Sequence, residues 1–140
     1  QEMKPPDRVL DRDEVLVLRS LCRDIAVAEP VLRYSARLVG ASEPSRKDSP
    51  ELVRQAHRSG AGVRGAQSLV LCAKSVAMLE GRAHVSFNDI QRVALPALRH
   101  RLIRSFEGEA DGITTDQVVQ ELIKHVPTRP EAVEAAVRKG

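Results

Sequence analysis

Apolar residues recur at intervals of three and four along most of the chain, which is the spacing of one face of an α-helix. Charged and small polar residues fill the positions between them. The spacing predicts five longer helices and one short one: from Asp11 to about Asp24, from Pro30 through Leu38, from Pro50 to about Arg58 (the short one), from Arg64 to Glu80, from Ser86 to about Arg104, and from Thr114 to Val126. The pattern therefore predicts a small helical bundle.

Three of the predicted helices begin with a capping pair, in which a short polar residue is followed three positions later by a carboxylate or an amide. The pairs are Asp11 with Glu14, Ser86 with Asp89, and Thr114 with Gln117. Gly81 follows the Arg64 helix at the position where glycine commonly ends a helix. These signals predict where the helices start and stop.

The remaining segments are predicted to be linkers. Residues 40–50 are charged and rich in Gly, Ser and Pro, which is typical of a loop. A last short helix is expected from Pro130 within residues 127–140. The only strand-like stretch, residues 83–87, is too short to build a sheet, so the fold class is predicted to be all-α.

Composition narrows the class of protein. The chain has 140 residues, only three aromatic residues, and 42% hydrophobic residues, so its core must be largely aliphatic. That size corresponds to one ordinary domain. No apolar run approaches the roughly 18 residues of a membrane span, and no signal-peptide pattern is present, so we expect a cytoplasmic location.

The polar residues give no sign of a metal site or of a nucleic-acid interface. The two cysteines, Cys22 and Cys72, lie fifty positions apart, and the four histidines form no pair with ligand spacing. No metal ligand and no catalytic residue is predicted. The net charge of +3 is spread along the chain without a dense basic helix, so nucleic acid is not expected as a partner.

Gly60, Gly62 and Gly65 have the G-x-G-x-x-G spacing of a dinucleotide-binding loop, which requires a buried strand before the glycines and a helix after them. The residues before Gly60 are polar and favour a helix. Glu80 has the sequence distance of a ribose-binding acid but falls at the end of a predicted helix. The spacing therefore does not predict a Rossmann site.

A narrower hypothesis remains for the same stretch. The glycines precede a long helix, whose first turn carries unpaired amide groups and a partial positive charge. Arg64 lies in that turn. Its side chain either points into solvent, pairs with a carboxylate, or binds phosphate oxygens through its planar fork of donors. The residues alone leave these alternatives open.

Several motifs follow one another from the glycine stretch onward. Arg64 stands at the arginine of a G-A-S-P-R-type motif, a G-R-x-x-V-x-x-x-D-I run is present as Gly81, Arg82, Val85, Asp89 and Ile90, and an H-R-L run as His100, Arg101 and Leu102. With these motifs the chain resembles, from about Val9 to Pro127, the C-terminal lid of the MoxR-type AAA+ ATPases. Two positions depart from the family's pattern: Gly62 and Val63 replace S-P, and the usual T-R pair is absent, with Ala41 and Ser42 nearby.

The resemblance implies that Arg64 is the sensor 2 residue, which contacts the γ-phosphate of ATP bound by a separate core domain. Residues 1–10 would then be a linker from that core domain, residues 11–126 the lid and residues 127–140 a tail. The chain has no Walker A or Walker B motif. The resemblance therefore implies ATP and Mg²⁺ in the full-length protein only, none bound by the fragment alone, and no catalytic residue within the fragment.

The resemblance also implies partners. These are the core domain of the same chain, neighbouring subunits of a hexamer, client proteins remodelled in a chaperone-like manner, and a protein with a von Willebrand factor A domain. The residues expected at the C-terminal end of one helix are either an interface or caps for its last carbonyl groups: Arg99, His100, Arg101 and Arg104.

Two other functions stay open on the residues alone. One is a small helical DNA-binding or histone-fold-like module, and the other is a stand-alone adaptor with a lid fold.

Overall fold

A computed structural model of the chain describes residues 7–128. In this range the chain forms seven α-helices and two short strands, in the order α1 (Arg12–Asp24), α2 (Glu29–Ala41), α3 (Glu51–Ala56), β1 (His57–Ser59), α4 (Gly62–Leu79), α5 (Phe87–Leu98), β2 (Ile103–Arg104), α6 (Phe106–Ala110) and α7 (Thr115–His125). The two strands pair antiparallel. The fold is all-α, as the hydrophobic spacing predicted.

The predicted capping pairs start three of these helices. The Asp11 carboxylate accepts the Glu14 amide at 2.8 Å, and the Glu14 carboxylate accepts the Asp11 amide at 2.7 Å. The same reciprocal pairs join Ser86 with Asp89 and Thr114 with Gln117. Gly81 follows α4 with a φ of 69°, in the left-handed region that glycine favours. These predictions are confirmed.

Two predicted helices are shorter than expected, because non-local contacts end them. α3 stops at Ala56 rather than at about Arg58, and α5 stops at Leu98 rather than at about Arg104. Residues 57–59 form β1, and residues 103–104, after an intervening turn, form β2. Next to this pair, the Ser105 amide donates to the Ala56 carbonyl at 2.8 Å, and the Ser105 hydroxyl donates to the Gln55 carbonyl at 2.6 Å. These bonds join segments fifty residues apart, which no local pattern reveals.

The core lies between α4, α5 and the helices packed on them. α4 and α5 form the most extensive helix pair, α2 packs against α4, and α7 packs against α5. The largest side chains buried there are Tyr34, Leu38, Leu69, Ile90, Leu98 and Leu122. The rings of Tyr34 and Phe87 meet edge to face, with centroids 5.6 Å apart. The rest of the core is aliphatic, as the composition indicated.

An ion pair between the half-buried Arg82 and the buried Asp89 fixes the turn between α4 and α5. Arg82 donates to both carboxylate oxygens of Asp89, at 2.8 and 2.6 Å, and to Glu80 at 2.6 Å. The Asp89 carboxylate also accepts the Ser86 amide at 2.7 Å. The hydrogen-bonded guanidinium of Arg82 is the main cause that lowers the pKa of Asp89 to about 2. The G-R-x-x-V-x-x-x-D-I run thus has a structural role, because it ties the two central helices together.

α1 is attached to the bundle along one side only. It packs mainly on α4, and Cys22 is its one buried residue. The linker after α1 forms a single parallel bridge between Ala26 and His84, which is the only pairing of the strand-like residues 83–87 in the described part of the chain. Five apolar side chains of this helix are exposed: Val15, Leu16, Val17, Leu18 and Leu21. Val17 and Leu21, which lie four residues apart on the same side of the helix, therefore mark an uncovered apolar face of α1.

The linkers and the end of the bundle follow the sequence pattern in part. The loop predicted over residues 40–50 is present as a turn-rich segment but begins at residue 42, because α2 continues through Ala41. After α7 the chain is held by Arg37, which donates to the Pro127 carbonyl at 2.8 Å. α6 was not predicted. The helix expected from Pro130 lies outside the described residues.

Candidate functional site

The glycine stretch joins β1 to α4, and each glycine meets a different steric demand. A Cβ on Gly60 would lie 2.8 Å from the backbone of Ser42, and a Cβ on Gly65 would lie 2.7 Å from the Cβ of Ala61. Gly62 has a φ of 63°, which side chains with a Cβ rarely adopt. Local packing and backbone geometry therefore account for all three glycines.

A strand, β1, does precede the glycines, contrary to the helix predicted to continue to about Arg58. However, β1 pairs antiparallel with β2, and residues 7–128 contain no parallel sheet. Glu80, the other candidate for dinucleotide binding, is engaged by Arg82 and Arg92 at the end of α4. The geometry does not support a Rossmann site, in agreement with the sequence.

Two residues of the loop after α2 hold the glycine stretch in place. The Ser42 hydroxyl accepts the Ala61 amide at 3.0 Å and donates to the Val39 carbonyl at 2.6 Å. The Glu43 carboxylate accepts the Gly60 amide at 3.2 Å. Ser42 is fully buried, so water does not compete for these bonds. In the sequence, Ser42 stands out only as a departure from a T-R pair and Glu43 does not stand out, because their partners lie 19 and 17 residues away.

Arg64 lies in the first turn of α4, where the sequence placed it. This turn has no side-chain cap and no acidic residue. The Arg64 side chain is exposed, and it forms no ion pair within residues 7–128. Of the alternatives left open by the sequence, pairing with a carboxylate is not found among these residues.

The surroundings of Arg64 suit an anion. The free amides at the start of a helix carry a partial positive charge, and a guanidinium beside them adds a full charge. Because like charges repel, an anion that meets both groups is favoured there. Phosphate oxygens match these donors, since a guanidinium gives two parallel hydrogen bonds. A phosphate group therefore fits the residues present.

The arginine-rich run 98–104 does not form one helix end, contrary to the prediction. Arg99 is the C-cap residue of α5 and pairs with Asp116 at 2.8 Å, whereas Arg104 lies in β2 and pairs with Glu109 at 3.5 Å. The run leaves the helix because residues 103–104 pair with β1. Capping of one helix end by all four candidates is therefore excluded.

The four candidate interface residues separate into two pairs. Arg99 and Arg104 line one cleft, of about 570 Å³. His100 and Arg101 do not line it; His100 is exposed and Arg101 is half-buried. The complete lining is Arg58, Arg99, Leu102, Ile103, Arg104, Ser105, Phe106, Glu109 and Thr115, and we call this site the arginine cleft. Arg58 and Phe106 were not predicted as site residues. Only the pairing of β1 with β2 brings Arg58 to the others, and Phe106 begins the unpredicted helix α6.

Comparison with known proteins decides the family. A family model described as the AAA lid domain matches residues 50–122, from the start of α3 into α7, and so includes the glycine stretch and Arg64. The chain belongs to the AAA lid domain family. This lid domain is of the MoxR type: over 124 residues it is 26% identical to Chaperone MoxR1 of Mycobacterium tuberculosis, with 87% of the chain and 33% of that relative covered.

Two further similarities agree with this assignment. The lid domain is 27% identical over 135 residues to the uncharacterized protein YeaC of Bacillus subtilis, with 86% of the chain and 42% of that protein covered. It matches the crystal structure of a candidate ATPase from Cytophaga hutchinsonii with a TM-score of 0.77 and 30% identity, over 82% of the chain and 35% of that structure. The lid domain thus spans 33% to 42% of the length of these relatives.

The match to the AAA lid domain also favours a lid over the DNA-binding or histone-fold-like module that the residues alone left open. No helix in the described residues is long and apolar enough to cross a membrane.

Proposed function

We propose that this lid domain closes over ATP bound by a separate core domain of a MoxR-type ATPase, and that Arg64 contacts the γ-phosphate of that ATP. The observation that carries the proposal is Arg64 itself, an exposed cation without an ion-pair partner in residues 7–128, in the first turn of an 18-residue helix. The chain has no phosphate loop, so the core domain would supply the groups that hold Mg²⁺ and activate water. The lid domain would contribute charge and movement.

A contact of this kind is strong enough to bias a hinge. A hydrogen bond to a charged group contributes about 1.5–3 kcal/mol. Because every 1.4 kcal/mol is a factor of ten, the contact would shift the balance between an open and a closed lid by roughly 10- to 150-fold. By itself the same energy gives a negligible affinity, so the lid domain alone is not expected to retain ATP.

Contacts at both ends of α4 connect this helix to the rest of the lid, so a movement of α4 would also move its neighbours. At its start, Ser42 and Glu43 fix the preceding backbone. At its end, the pair of Arg82 with Asp89 joins it to α5. Contact of Arg64 with a phosphate would therefore move α4 and α5 together.

The uncovered apolar face of α1 is our proposed contact with the core domain. Contiguous exposed apolar residues commonly mark an interaction surface. α1 follows residues 1–10, which in this proposal are the linker from the core domain, with the lid at 11–126 and the tail at 127–140. All three relatives extend well beyond the matched region, which leaves room for such a domain.

In the assembled protein, we propose that ATP hydrolysis is coupled to chaperone-like remodelling of partner proteins by a hexameric ring in the cytoplasm. The name of the relative MoxR1, a chaperone, supports this activity. A protein with a von Willebrand factor A domain is a proposed partner, and nucleic acid is not.

The change Arg64→Ala in the full-length protein tests the nucleotide contact. We expect at least a tenfold loss of ATPase activity, because the contact that favours lid closure is removed, with an unchanged circular dichroism spectrum. Arg33→Ala is the matched control, since Arg33 is an exposed arginine on α2 that pairs only with Glu29, at 2.6 Å. ATP turnover of Arg64→Ala equal to that of the control would reject the sensor role.

A further inference from the structure

The arginine cleft lies apart from the proposed nucleotide contact and is lined by residues of β1, β2, α6 and the chain around them. Its charged lining consists of three guanidinium groups, those of Arg58, Arg99 and Arg104, and the Glu109 carboxylate. Ser105 and Thr115 add hydroxyl groups. The cleft of about 570 Å³ is large enough for several side chains of a partner.

The charges of the cleft are only partly balanced. Arg99 is paired with Asp116 at 2.8 Å, and Arg104 lies 3.5 Å from Glu109, which is longer than an ordinary hydrogen bond. Arg58 is exposed and forms no ion pair within residues 7–128. Three guanidinium groups against two carboxylates leave one positive charge in excess, centred on Arg58. That is a site for one acidic group rather than for a long polyanion.

An exposed apolar surface adjoins this charge. Phe106 is 87% exposed and Ile103 is 46% exposed, whereas Tyr34 is fully buried and Phe87 is half-buried. Covering an exposed phenylalanine side chain removes apolar surface from water and so favours binding. Aromatic and arginine side chains are also the types most enriched at protein–protein contacts. An isolated exposed phenylalanine beside an unpaired arginine therefore favours a protein ligand.

The backbone around Phe106 is fixed before any ligand arrives. The preceding residue, Ser105, donates two hydrogen bonds to the end of α3. A Cβ on Gly108 would lie 2.5 Å from the Ala56 carbonyl oxygen, so α6 sits directly on that end. A preorganised surface loses little conformational entropy on binding, which increases affinity.

We propose that the arginine cleft binds a short segment of a partner protein in which an acidic residue stands next to an aromatic or large aliphatic residue. The carboxylate would meet Arg58, and the apolar side chain would cover Phe106 and Ile103. A nucleic-acid strand fits less well, because its successive phosphates would approach the carboxylates of Glu109 and Asp116. The proposal extends the interface predicted at Arg99 and Arg104 and does not depend on the role of Arg64.

Selection of displayed random dodecapeptides on the 140-residue chain tests this proposal. We expect the selected sequences to share an acidic residue beside an aromatic or aliphatic one, and a fluorescein-labelled selected peptide to bind in a fluorescence polarisation titration. Arg58→Ala and Phe106→Ser should each weaken that binding at least tenfold. Both side chains are exposed, so neither change threatens the fold, and Arg33→Ala serves as the control that leaves binding unchanged.

Other outcomes would overturn the proposal. No selected peptide, selected peptides without an acidic residue, or binding that survives both cleft variants would each exclude an acidic segment as the ligand. Binding of labelled single-stranded oligothymidylate that is lost in Arg58→Ala would identify a nucleic-acid site instead. Concentration-dependent dimers in sedimentation that disappear in Phe106→Ser would identify a second copy of the chain as the occupant.

Discussion

At the scale of single residues, Gly60 and Ser42 determine where α4 can begin. A Cβ on Gly60 would lie 2.8 Å from both the carbonyl carbon and the carbonyl oxygen of Ser42, and neither atom can move without shifting the end of α2. The Ser42 hydroxyl in turn accepts the amide of Ala61. The direction in which Arg64 leaves the backbone therefore depends on two residues that lie before α4 begins.

The substitution Gly60→Ala is expected to lower the free energy of unfolding by about 1–3 kcal/mol, because an added methyl group in a filled space forces the backbone apart. Gly40→Ala is the matched control. Gly40 lies within α2, where alanine is favoured over glycine by roughly 0.5–1 kcal/mol, and its added Cβ would meet only the flexible Arg46 side chain, at 3.5 Å. Urea unfolding of both variants measures the two changes in unfolding free energy. If Gly60→Ala is no more destabilising than Gly40→Ala, the steric explanation is wrong.

At the scale of helices, the Arg82–Asp89 pair holds α4 and α5 together and makes this contact depend on pH. The pKa of Asp89 is lowered to about 2 in the folded chain, chiefly by hydrogen bonds from Arg82, whereas its ordinary value is 3.8. A carboxylate whose pKa is lower in the folded than in the unfolded state stabilises the fold above its ordinary pKa. That stabilisation is lost as the pH falls from about 4 to about 2.

We therefore expect the Asp89→Asn variant to show a flatter dependence of unfolding free energy on pH than the wild type between about pH 5 and 2. Over this pH range the wild type should lose more unfolding free energy than Asp89→Asn, by a value on the order of 2 kcal/mol. Urea unfolding at a series of pH values measures it. Asp7→Asn is the control, since Asp7 is exposed and forms no ion pair in residues 7–128. Parallel pH profiles of wild type and Asp89→Asn would disprove the assigned role.

Helices whose start signals lie within a few residues of chain were predicted from the sequence. Elements that depend on contacts between distant residues were not. Asp11 with Glu14 and Thr114 with Gln117 mark helix starts within four residues of chain, so the pattern alone locates them. β1, β2 and α6 depend on bonds from Ser105 to residues near Ala56, about fifty positions away. A local pattern cannot register such a contact, so the predicted helices ran on past their true ends.

The residues of the candidate sites, too, could be predicted only where the signal lies in the neighbouring sequence. Arg64 could be singled out from its motif and its place after the glycines. Glu43 could not, because its carboxylate reaches Gly60 only through the folded loop. Arg99 and Arg104 were recognised as basic neighbours in sequence, whereas Arg58 joins them only through the strand pairing.

At the scale of the whole molecule, exposed apolar side chains are concentrated on α1. α2, α4, α5 and α7 contribute most of the buried apolar residues of one shared core, whereas Val17 on α1 remains 58% exposed. In the proposed function this face meets the core domain. The chain's own stability should then depend little on it, while the activity of the assembled protein should depend on it strongly.

The change Val17→Lys tests this separation. In the 140-residue chain we expect the unfolding free energy to stay within about 0.5 kcal/mol of the wild type, as is usual for exposed positions. In the full-length protein we expect ATPase activity to fall, because a charge would enter the contact with the core domain. Ser20→Lys adds the same charge at another exposed position of α1 without removing an apolar group. If both lysine variants leave ATPase activity intact, the α1 face is not the contact.

The packing of Tyr34 also supplies the chain with a built-in optical reporter. Tyr34 is the single tyrosine, tryptophan is absent, and its ring is fully enclosed against Phe87 while its hydroxyl accepts a hydrogen bond from Gln91. Burial raises the pKa of this phenol, so its ultraviolet spectrum resists alkali as long as α2 and α5 stay together. Tyrosine emission and near-ultraviolet dichroism therefore record the separation of these two helices without any attached dye. Changes confined to α1 or to the arginine cleft should leave both signals unaltered.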